Sequence, residues 1–231
     1  MNESARDSAG DSGKSRPSSV SPAPKAYTHV SAWLLFLIPA ILGIAGDLYV
    51  KHMSFPGGVP ADRQGMLLAG LHPGYDVKTD QPLPPGPVIP GVLGFTTTVN
   101  QGAVFGIGQG KVAWFLAFSV LALGIIVWVF ATSGARHRVV HLALGLILAG
   151  ALGNMYDRAV YHGVRDMLKF LCLHFPPITV FGHSFPSGFL AANGTVDWYP
   201  YIFNIADVLL CVGVPLLIAR WLFVKDEPQS A

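Results

Sequence analysis

Carboxylate and amide side chains stand beside the long apolar segments of this chain, and these residues have the chemistry to act as acids, bases and hydrogen-bond donors. Asp207 lies at the start of the last apolar run, Val208–Val224, in the sequence Phe-Asn-Ile-Ala-Asp. A charged side chain near a bilayer centre costs about 2.5–3.5 kcal/mol, so intramembrane acids usually face protein or water and have a function. The other polar residues next to apolar segments are Asp47, Lys51, Asn100, Asn154, Asp157, Arg158 and Asp166.

Two carboxylates that lie close together can perform acid–base chemistry. They cannot both ionise comfortably, so the pair shares a proton. One acid can then activate water while the other protonates or polarises a scissile carbonyl. Spacing alone leaves open which pair this would be among Asp47, Asp157, Asp166 and Asp207.

Local structural roles fit the same residues. Asn204-x-x-Asp207 before an apolar run is typical of a helix N-cap with a capping-box-like partner, which is compatible with an ionised carboxylate at a helix N-terminus. Asp47 and Lys51, at i and i+4, fit a local ion pair at a helix end. If that pair is partly exposed, we expect Asp47→Asn to cost on the order of 1 kcal/mol or less. Arg158 beside Asp157 fits a marker of the membrane interface.

The composition places these residues in a membrane protein. Of 231 residues, 52% are hydrophobic and only 12% are charged, unlike an ordinary soluble domain. An apolar helix rising about 1.5 Å per residue needs close to 20 residues to cross a bilayer core of ~30 Å. The sequence therefore predicts an all-α membrane protein with four transmembrane helices, at Ser31–Val50, Val112–Thr132, Val139–Tyr156 and Ala206–Val224.

The charge distribution predicts the domain organisation and the orientation. Residues 1–30, rich in Ser, Pro and Gly, are expected to form a disordered leader, and residues 225–231 a short tail. Arg136 and Arg138 make the link between the second and third spans basic, which predicts cytoplasmic termini by the positive-inside rule. Loops 51–111 and 157–202 would then lie outside. All the polar residues named above would fall at that outer boundary.

Several other classes of function are disfavoured by the sequence. The net charge of +2 is too small to indicate a nucleic-acid partner, and Cys172 and Cys211 form no metal-binding pattern. The segment 184–188 (Ser-Phe-Pro-Ser-Gly) resembles part of a lipid-phosphatase signature, but Phe189 follows where a histidine is expected. A small transporter or assembly factor could use the same acids, although transporter sites tend to lie near the midplane of the membrane.

Five motifs in order resemble bacterial signal peptidase II, the lipoprotein signal peptidase family. They are Asp47-x-x-x-Lys51, the segment 100–106 (Asn-Gln-Gly-Ala-Val-Phe-Gly), the segment 150–158 (Gly-Ala-Leu-Gly-Asn-Met-Tyr-Asp-Arg), the segment 163–166 (Gly-Val-Arg-Asp) and the segment 203–207 (Phe-Asn-Ile-Ala-Asp). The resemblance extends from about residue 31 to residue 224. It implies a four-helix aspartyl endopeptidase of the bacterial cytoplasmic (inner) membrane. Such an enzyme removes signal peptides from prolipoproteins, cleaving before a cysteine that carries diacylglycerol.

The resemblance also implies roles for individual residues. The catalytic pair would be Asp166 and Asp207. Substrate-binding or supporting positions would be Asp47, Lys51, Asn100, Asn154, Arg158 and Asn204. The segment Val88–Gly106, whose Leu93–Val99 stretch is β-like by composition, would form part of a small extracytoplasmic β-rich platform. The active site would lie at the extracytoplasmic face.

The same resemblance implies the partners. The expected ones are a lipid-modified prolipoprotein and the membrane lipids, with no metal, cofactor or nucleic acid, and a monomer is expected. The chain departs from the family pattern at Gln101 and Met167, in the polar leader, and in both outer loops, which are longer than is typical.

Overall fold

The computed structural model describes residues 24–55, 75–76, 81–82, 86–90, 92–100, 111–172, 174–175, 178–180, 183–185, 196–197, 199 and 201–223. These residues include helices α1 (Val30–Ser54), α2 (Val112–Thr132), α3 (Arg138–Tyr161) and α4 (Ile205–Phe223). All four are long and apolar enough to cross a membrane, which confirms the predicted multi-pass architecture.

Two helices continue past the ends that hydropathy predicts. The predicted spans stop at Val50 and Tyr156, whereas α1 ends at Ser54 and α3 at Tyr161. Two polar residues in these extra turns, Lys51 and Asp157, have fully buried side chains. Hydropathy marks where a segment stops being apolar, and this is not where its backbone hydrogen bonding stops.

Helix α3 is the centre of the bundle, because α1, α2 and α4 all pack against it. Glycines make the close approach of α4 possible. A Cβ atom on Gly150 would lie 2.5 Å from the carbonyl oxygen of Ala206, and one on Gly213 would lie 3.0 Å from that of Ala143. Small residues let helix backbones approach closely in membranes, where no hydrophobic force drives helices together. The start of α4 is thereby held against the second half of α3.

A four-stranded antiparallel sheet lies at the ends of the helices that carry the acids, in the order β10-β5-β4-β3. Its strands are β3 (Gly86–Ile89), β4 (Leu93–Asn100), β5 (Val164–Phe170) and β10 (Ile202–Phe203). The β-like stretch at 93–99 is confirmed. Two further strands, β5 and β10, join the sheet that was predicted from Val88–Gly106, while residues 101–106 lie outside the described residues.

Three short strand pairs belong to the two long loops. They are β1 (Tyr75–Asp76) with β2 (Gln81–Pro82), β6 (His174–Phe175) with β9 (Val196–Asp197), and β7 (Ile178–Val180) with β8 (His183–Phe185).

The end of the predicted leader has a defined place in the fold. The Ala26 amide donates to the Ser133 carbonyl at 2.9 Å, and the Ala135 amide donates to the Pro24 carbonyl at 2.8 Å. Ala26 is fully buried in a cluster with Phe36 and Phe130. Residues 24–29 therefore differ from the expected disordered leader, because backbone pairing with the α2–α3 link and burial of Ala26 hold them. Residues 1–23 and the predicted tail at 225–231 lie outside the described residues.

Candidate active site

Asp207 lies in the first turn of α4 and is tied to Asn204 in a reciprocal cap. The Asp207 backbone N–H donates to the Asn204 Oδ1 at 3.0 Å, and the Asn204 backbone N–H donates to the Asp207 Oδ2 at 3.2 Å. This is the capping arrangement that the Asn-x-x-Asp spacing predicts. It fixes the Asp207 carboxylate at the positive end of the helix dipole, which stabilises negative charge.

Two asparagine side chains connect Asp207 to Asp166. The Asn204 Nδ2 donates to the Asp166 Oδ1 at 2.6 Å and to the Asn154 Oδ1 at 3.0 Å, and the Asn154 Nδ2 donates to the Asp207 Oδ1 at 2.8 Å. Asn204 is fully buried, and Asp166 and Asn154 are nearly so. The chain of hydrogen bonds joins β5, α3 and the start of α4. Asp166 and Asp207, 41 positions apart in the sequence, thus belong to one polar cluster.

Asp47 and Lys51 form a fully buried ion pair, which contradicts the partly exposed local pair expected from the sequence. The Lys51 Nζ lies 2.7 Å from the Asp47 Oδ2, and both side chains are 0% exposed. The same Nζ lies 3.0 Å from the Asp157 Oδ2 and donates to the Asn154 Oδ1 at 3.3 Å. The Asp47 Oδ1 accepts the backbone N–H of Ala206 at 2.9 Å. The pair therefore connects α1 to α3 and α4, and its contacts extend well beyond its own helix.

Asp157, one of the four acids left open by the sequence, holds the strand that carries Asp166. Its Oδ1 accepts the Arg165 Nη2 at 2.8 Å and the Arg165 Nε at 3.1 Å, while its Oδ2 accepts the Arg165 backbone N–H at 3.0 Å. The guanidinium carbon also lies 4.2 Å from the centre of the Tyr161 ring. Two guanidinium donors on one carboxylate oxygen and the backbone N–H of the same residue on the other fix the relative position of the two residues. This arrangement sets the position of Arg165, and through the backbone that of Asp166.

Asn100 and Arg158 lie at the edge of this cluster. In the register of β4 with β5, Asn100 is opposite Val164 and Thr98 is opposite Asp166. Since side chains alternate along a strand, Asn100 is on the same sheet face as Asp166. The Arg158 Nη1 donates to the Asn154 carbonyl at 3.4 Å, and its guanidinium carbon is 5.5 Å from the Phe115 ring centre. Its charge acts on Asp166, Asp207 and Asp157.

Burial controls the electrostatics of the site. It raises the pKa of Asp166 well above its ordinary value, the charge of Asp207 raises it further, and Lys51 opposes both. Burial also raises the pKa of the Tyr199 phenol, with a further contribution from the charge of Asp207. Tyr199 packs edge-on against Phe170. One acid that keeps its proton beside another fixed by hydrogen-bond donors is an arrangement suited to general acid–base catalysis.

Known proteins identify the family. The family model described as signal peptidase (SPase) II matches residues 72–223, well over half of the chain. The chain belongs to the signal peptidase II family. The lipoprotein signal peptidase of Listeria welshimeri serovar 6b is 32% identical over 140 residues, which cover 61% of this chain and 75% of the relative. That of Shouchella clausii is 34% identical over 145 residues, covering 62% and 79%.

Solved structures agree with the fold of this chain. One, described as a bacterial membrane enzyme at 2.3 Å resolution, has a TM-score of 0.56 at 24% identity over 91% of this chain and 100% of that chain. A second, at 1.9 Å, has a TM-score of 0.52 at 25% identity over 87% and 98%. The chain is therefore a peptidase with a four-helix membrane fold.

Two residues described above, Arg165 and Tyr199, were not selected from the sequence. Arg165 stood inside a quoted motif, where its charge next to Asp166 was the available signal. Asp157 was named among the candidate acids, but its role in holding Arg165 was not predicted. Tyr199 carried no signal in the sequence, and its position is set by the aromatic cluster that it forms with Phe170 and Phe203.

Proposed function

We propose that this chain removes signal peptides from diacylglyceryl-modified prolipoproteins, cleaving before the lipidated cysteine, with Asp166 and Asp207 as the catalytic acids. The names of its relatives support the substrate class. The observation that carries the assignment of the acids is the Asn204–Asn154 bridge between them. Asp47 and Asp157 are separate from this role, because Lys51 and Arg165 neutralise them in the buried network.

The two acids differ in environment, and we assign their roles from that difference. Asp207 accepts hydrogen bonds from the Asn154 side chain and the Asn204 backbone N–H in the first turn of α4, and these contacts fix the position of its carboxylate. Asp166 is only 2% exposed, and its raised pKa favours the protonated form. We therefore assign Asp207 as the base that takes a proton from the attacking water, and Asp166 as the acid that protonates the scissile carbonyl oxygen, which gives a tetrahedral gem-diol. As the C–N bond breaks, Asp207 gives its proton to the leaving amine nitrogen and Asp166 takes back a proton from the gem-diol, so both acids return to their starting states.

The supporting residues hold Asp166 and Asp207 in a fixed relative position. Asn154 and Asn204 hold the two carboxyl groups at a fixed separation, and Arg158 supplies positive charge against the charge that develops on the carbonyl oxygen. Asn100 faces the same side of the sheet as Asp166, where it can contact the substrate backbone. The lipid-anchored substrate reaches the site laterally from the bilayer, since its acyl chains remain in an apolar medium.

We place the protein in the bacterial inner membrane, with both termini cytoplasmic and the acids at the extracytoplasmic face. The basic link at Arg136 and Arg138 supports this orientation. In a variant lacking Cys172 and Cys211, a cysteine at Val88 should react with an impermeant maleimide in intact cells, and a cysteine at Arg136 only after lysis. The reverse labelling pattern would contradict the proposed face.

The decisive experiment is cleavage by the purified protein in dodecyl maltoside, followed by mass spectrometry. The lipidated precursor should lose the mass of its signal peptide, and the unmodified precursor should remain intact. Asp166→Asn and Asp207→Asn should each reduce turnover by at least about a thousandfold, because neither amide can exchange the required proton. Asp76→Asn, in β1, is the matched control. Near-normal turnover by either active-site variant would reject the assignment of the acids.

A further inference from the structure

A groove lies at the end of the bundle opposite the acids. It has a volume of about 490 Å³ and lies between α2 and α4 at their C-terminal ends, with the first turn of α3 between them. Helices α2 and α4 both pack on α3 but share no extended interface with each other in the described part of the chain. The groove is therefore open to the side, where a bilayer would surround the helices.

The groove has an apolar body and a basic end. Val129, Val140 and Leu217 line the body, while His137 and Arg220 line the end near the α2–α3 link. This end also has Trp221, which is 81% exposed. Tryptophan concentrates at the level of lipid headgroups. The groove therefore matches the order of chemical groups in one leaflet. Its apolar wall corresponds to the acyl chain, the indole of Trp221 to the interface and the guanidinium of Arg220 to the headgroup.

We propose that this groove binds one anionic phospholipid, with an acyl chain along Val129 and Leu217 and the phosphate on Arg220. Charge complementarity argues for this occupant. Basic pockets between transmembrane helices on the cytoplasmic side bind anionic headgroups, and the guanidinium group matches the geometry of phosphate. Arg136 in the adjacent link and Arg138 at the start of α3, both exposed, add positive potential at the same end. The volume is in the range of sites for small ligands, about 300–1,000 Å³. The lipid site is independent of the proposed peptide cleavage and rests on the proposed cytoplasmic orientation of this end of the bundle.

Native mass spectrometry of the full chain in dodecyl maltoside tests the site. Phosphatidylglycerol and phosphatidylcholine with the same acyl chains serve as the probes. The wild type should retain one phosphatidylglycerol in preference to phosphatidylcholine. Arg220→Gln should weaken phosphatidylglycerol binding about tenfold, the loss expected for one charge-assisted contact. Ile218→Trp should also weaken it, because Ile218 lines the groove, is 49% exposed and can be enlarged without disturbing the core.

Arg138→Gln is the matched control, since it removes the same charge at the same end from a residue that does not line the groove. Its binding should stay within about twofold of the wild type, as expected for a surface charge. Three results would overturn the proposal. One is equal binding of the two lipids, and another is an equal loss in Arg138→Gln and Arg220→Gln. The third is phosphatidylglycerol binding that arises only after removal of residues 226–231, which would identify the chain's own acidic tail as the occupant.

Discussion

Lys51→Met should destabilise the protein severely, because it leaves two buried carboxylates without their shared cation. The Lys51 Nζ lies 2.7 Å from the Asp47 Oδ2 and 3.0 Å from the Asp157 Oδ2, with all three side chains 0% exposed. At an effective dielectric constant of about 20, these distances correspond to attractions of about 6 and 5.5 kcal/mol. Desolvation of the ions offsets several kcal/mol per ion.

The net loss follows from the charge balance of the network. Asp47 and Asp157 are balanced by Lys51 and Arg165, so Lys51→Met leaves one uncompensated negative charge. Removing one partner of a buried pair costs about 3–5 kcal/mol. The second change, Asp47→Asn, restores the balance, because Asp157 keeps Arg165 and the amide oxygen can still accept the Ala206 N–H. The double variant should therefore recover about 2 kcal/mol relative to Lys51→Met.

Unfolding in mixed dodecyl maltoside and SDS micelles, followed by tryptophan fluorescence, measures the four corners of this cycle. Lys111→Met is the control, since Lys111 is exposed next to the start of α2, and its effect should be within about 0.5 kcal/mol. A loss below about 1 kcal/mol in Lys51→Met would mean that the pair behaves as an exposed one. A double variant no more stable than Lys51→Met would show that charge balance is not the cause.

Three further predictions concern the acids and their supports. Burial raises the pKa of Asp166 above its ordinary value of 3.8, so the folded protein binds this proton more tightly than the unfolded chain, and stability falls as pH rises through the folded-state pKa. The melting temperature of Asp166→Asn should accordingly be higher than that of the wild type at pH 7.5 and equal to it below about pH 3.8. A lower melting temperature of the variant at pH 7.5 would refute this. Gly153→Ala should lower the free energy of unfolding by about 1–3 kcal/mol and remove most of the turnover, because its Cβ would collide with the Asp47 Oδ2. Gly124→Ala, whose Cβ would have no atom within 4 Å, should be neutral or stabilising. Equal melting temperatures for the two variants would speak against the close approach. Arg165→Lys keeps the charge but loses the two guanidinium hydrogen bonds to the Asp157 Oδ1, so kcat should drop about tenfold with KM little changed. An unaltered kcat would remove Arg165 from the positioning of Asp166.

Much of the fold could be predicted from the sequence, because membrane spans depend on local composition. Four apolar segments of membrane length identify the helices whatever their neighbours are, and Leu93–Val99 is β-like by its own residues. The Asn204–Asp207 cap was predictable for the same reason, since it forms within one turn. Strand β5 was not predicted, because five of its seven residues are buried and its sequence does not alternate between apolar and polar positions.

In the site, too, some features followed from the sequence and others only from the tertiary structure. The ordered motifs pointed to Asp166 and Asp207, and their position at one boundary suggested that polar groups would meet there. The partners of each group were set by the tertiary structure. Lys51 was assigned by spacing to Asp47 alone, but the crossing of α1 with α3 also places it against Asp157, 106 positions away, and buries all three side chains.

Sequence spacing determines which residues share a turn of helix or a face of a strand, and this was enough to recognise the motifs. It contains no information on how deep a side chain lies or which element crosses beside it. The depth of the side chain and the element beside it decide whether an ion pair contributes a few tenths of a kcal/mol or several kcal/mol to stability. Depth and helix crossing also explain why Asn154 bridges Asp207, Asn204 and Lys51. Helix α3 places Asn154 where the polar ends of α1 and α4 meet.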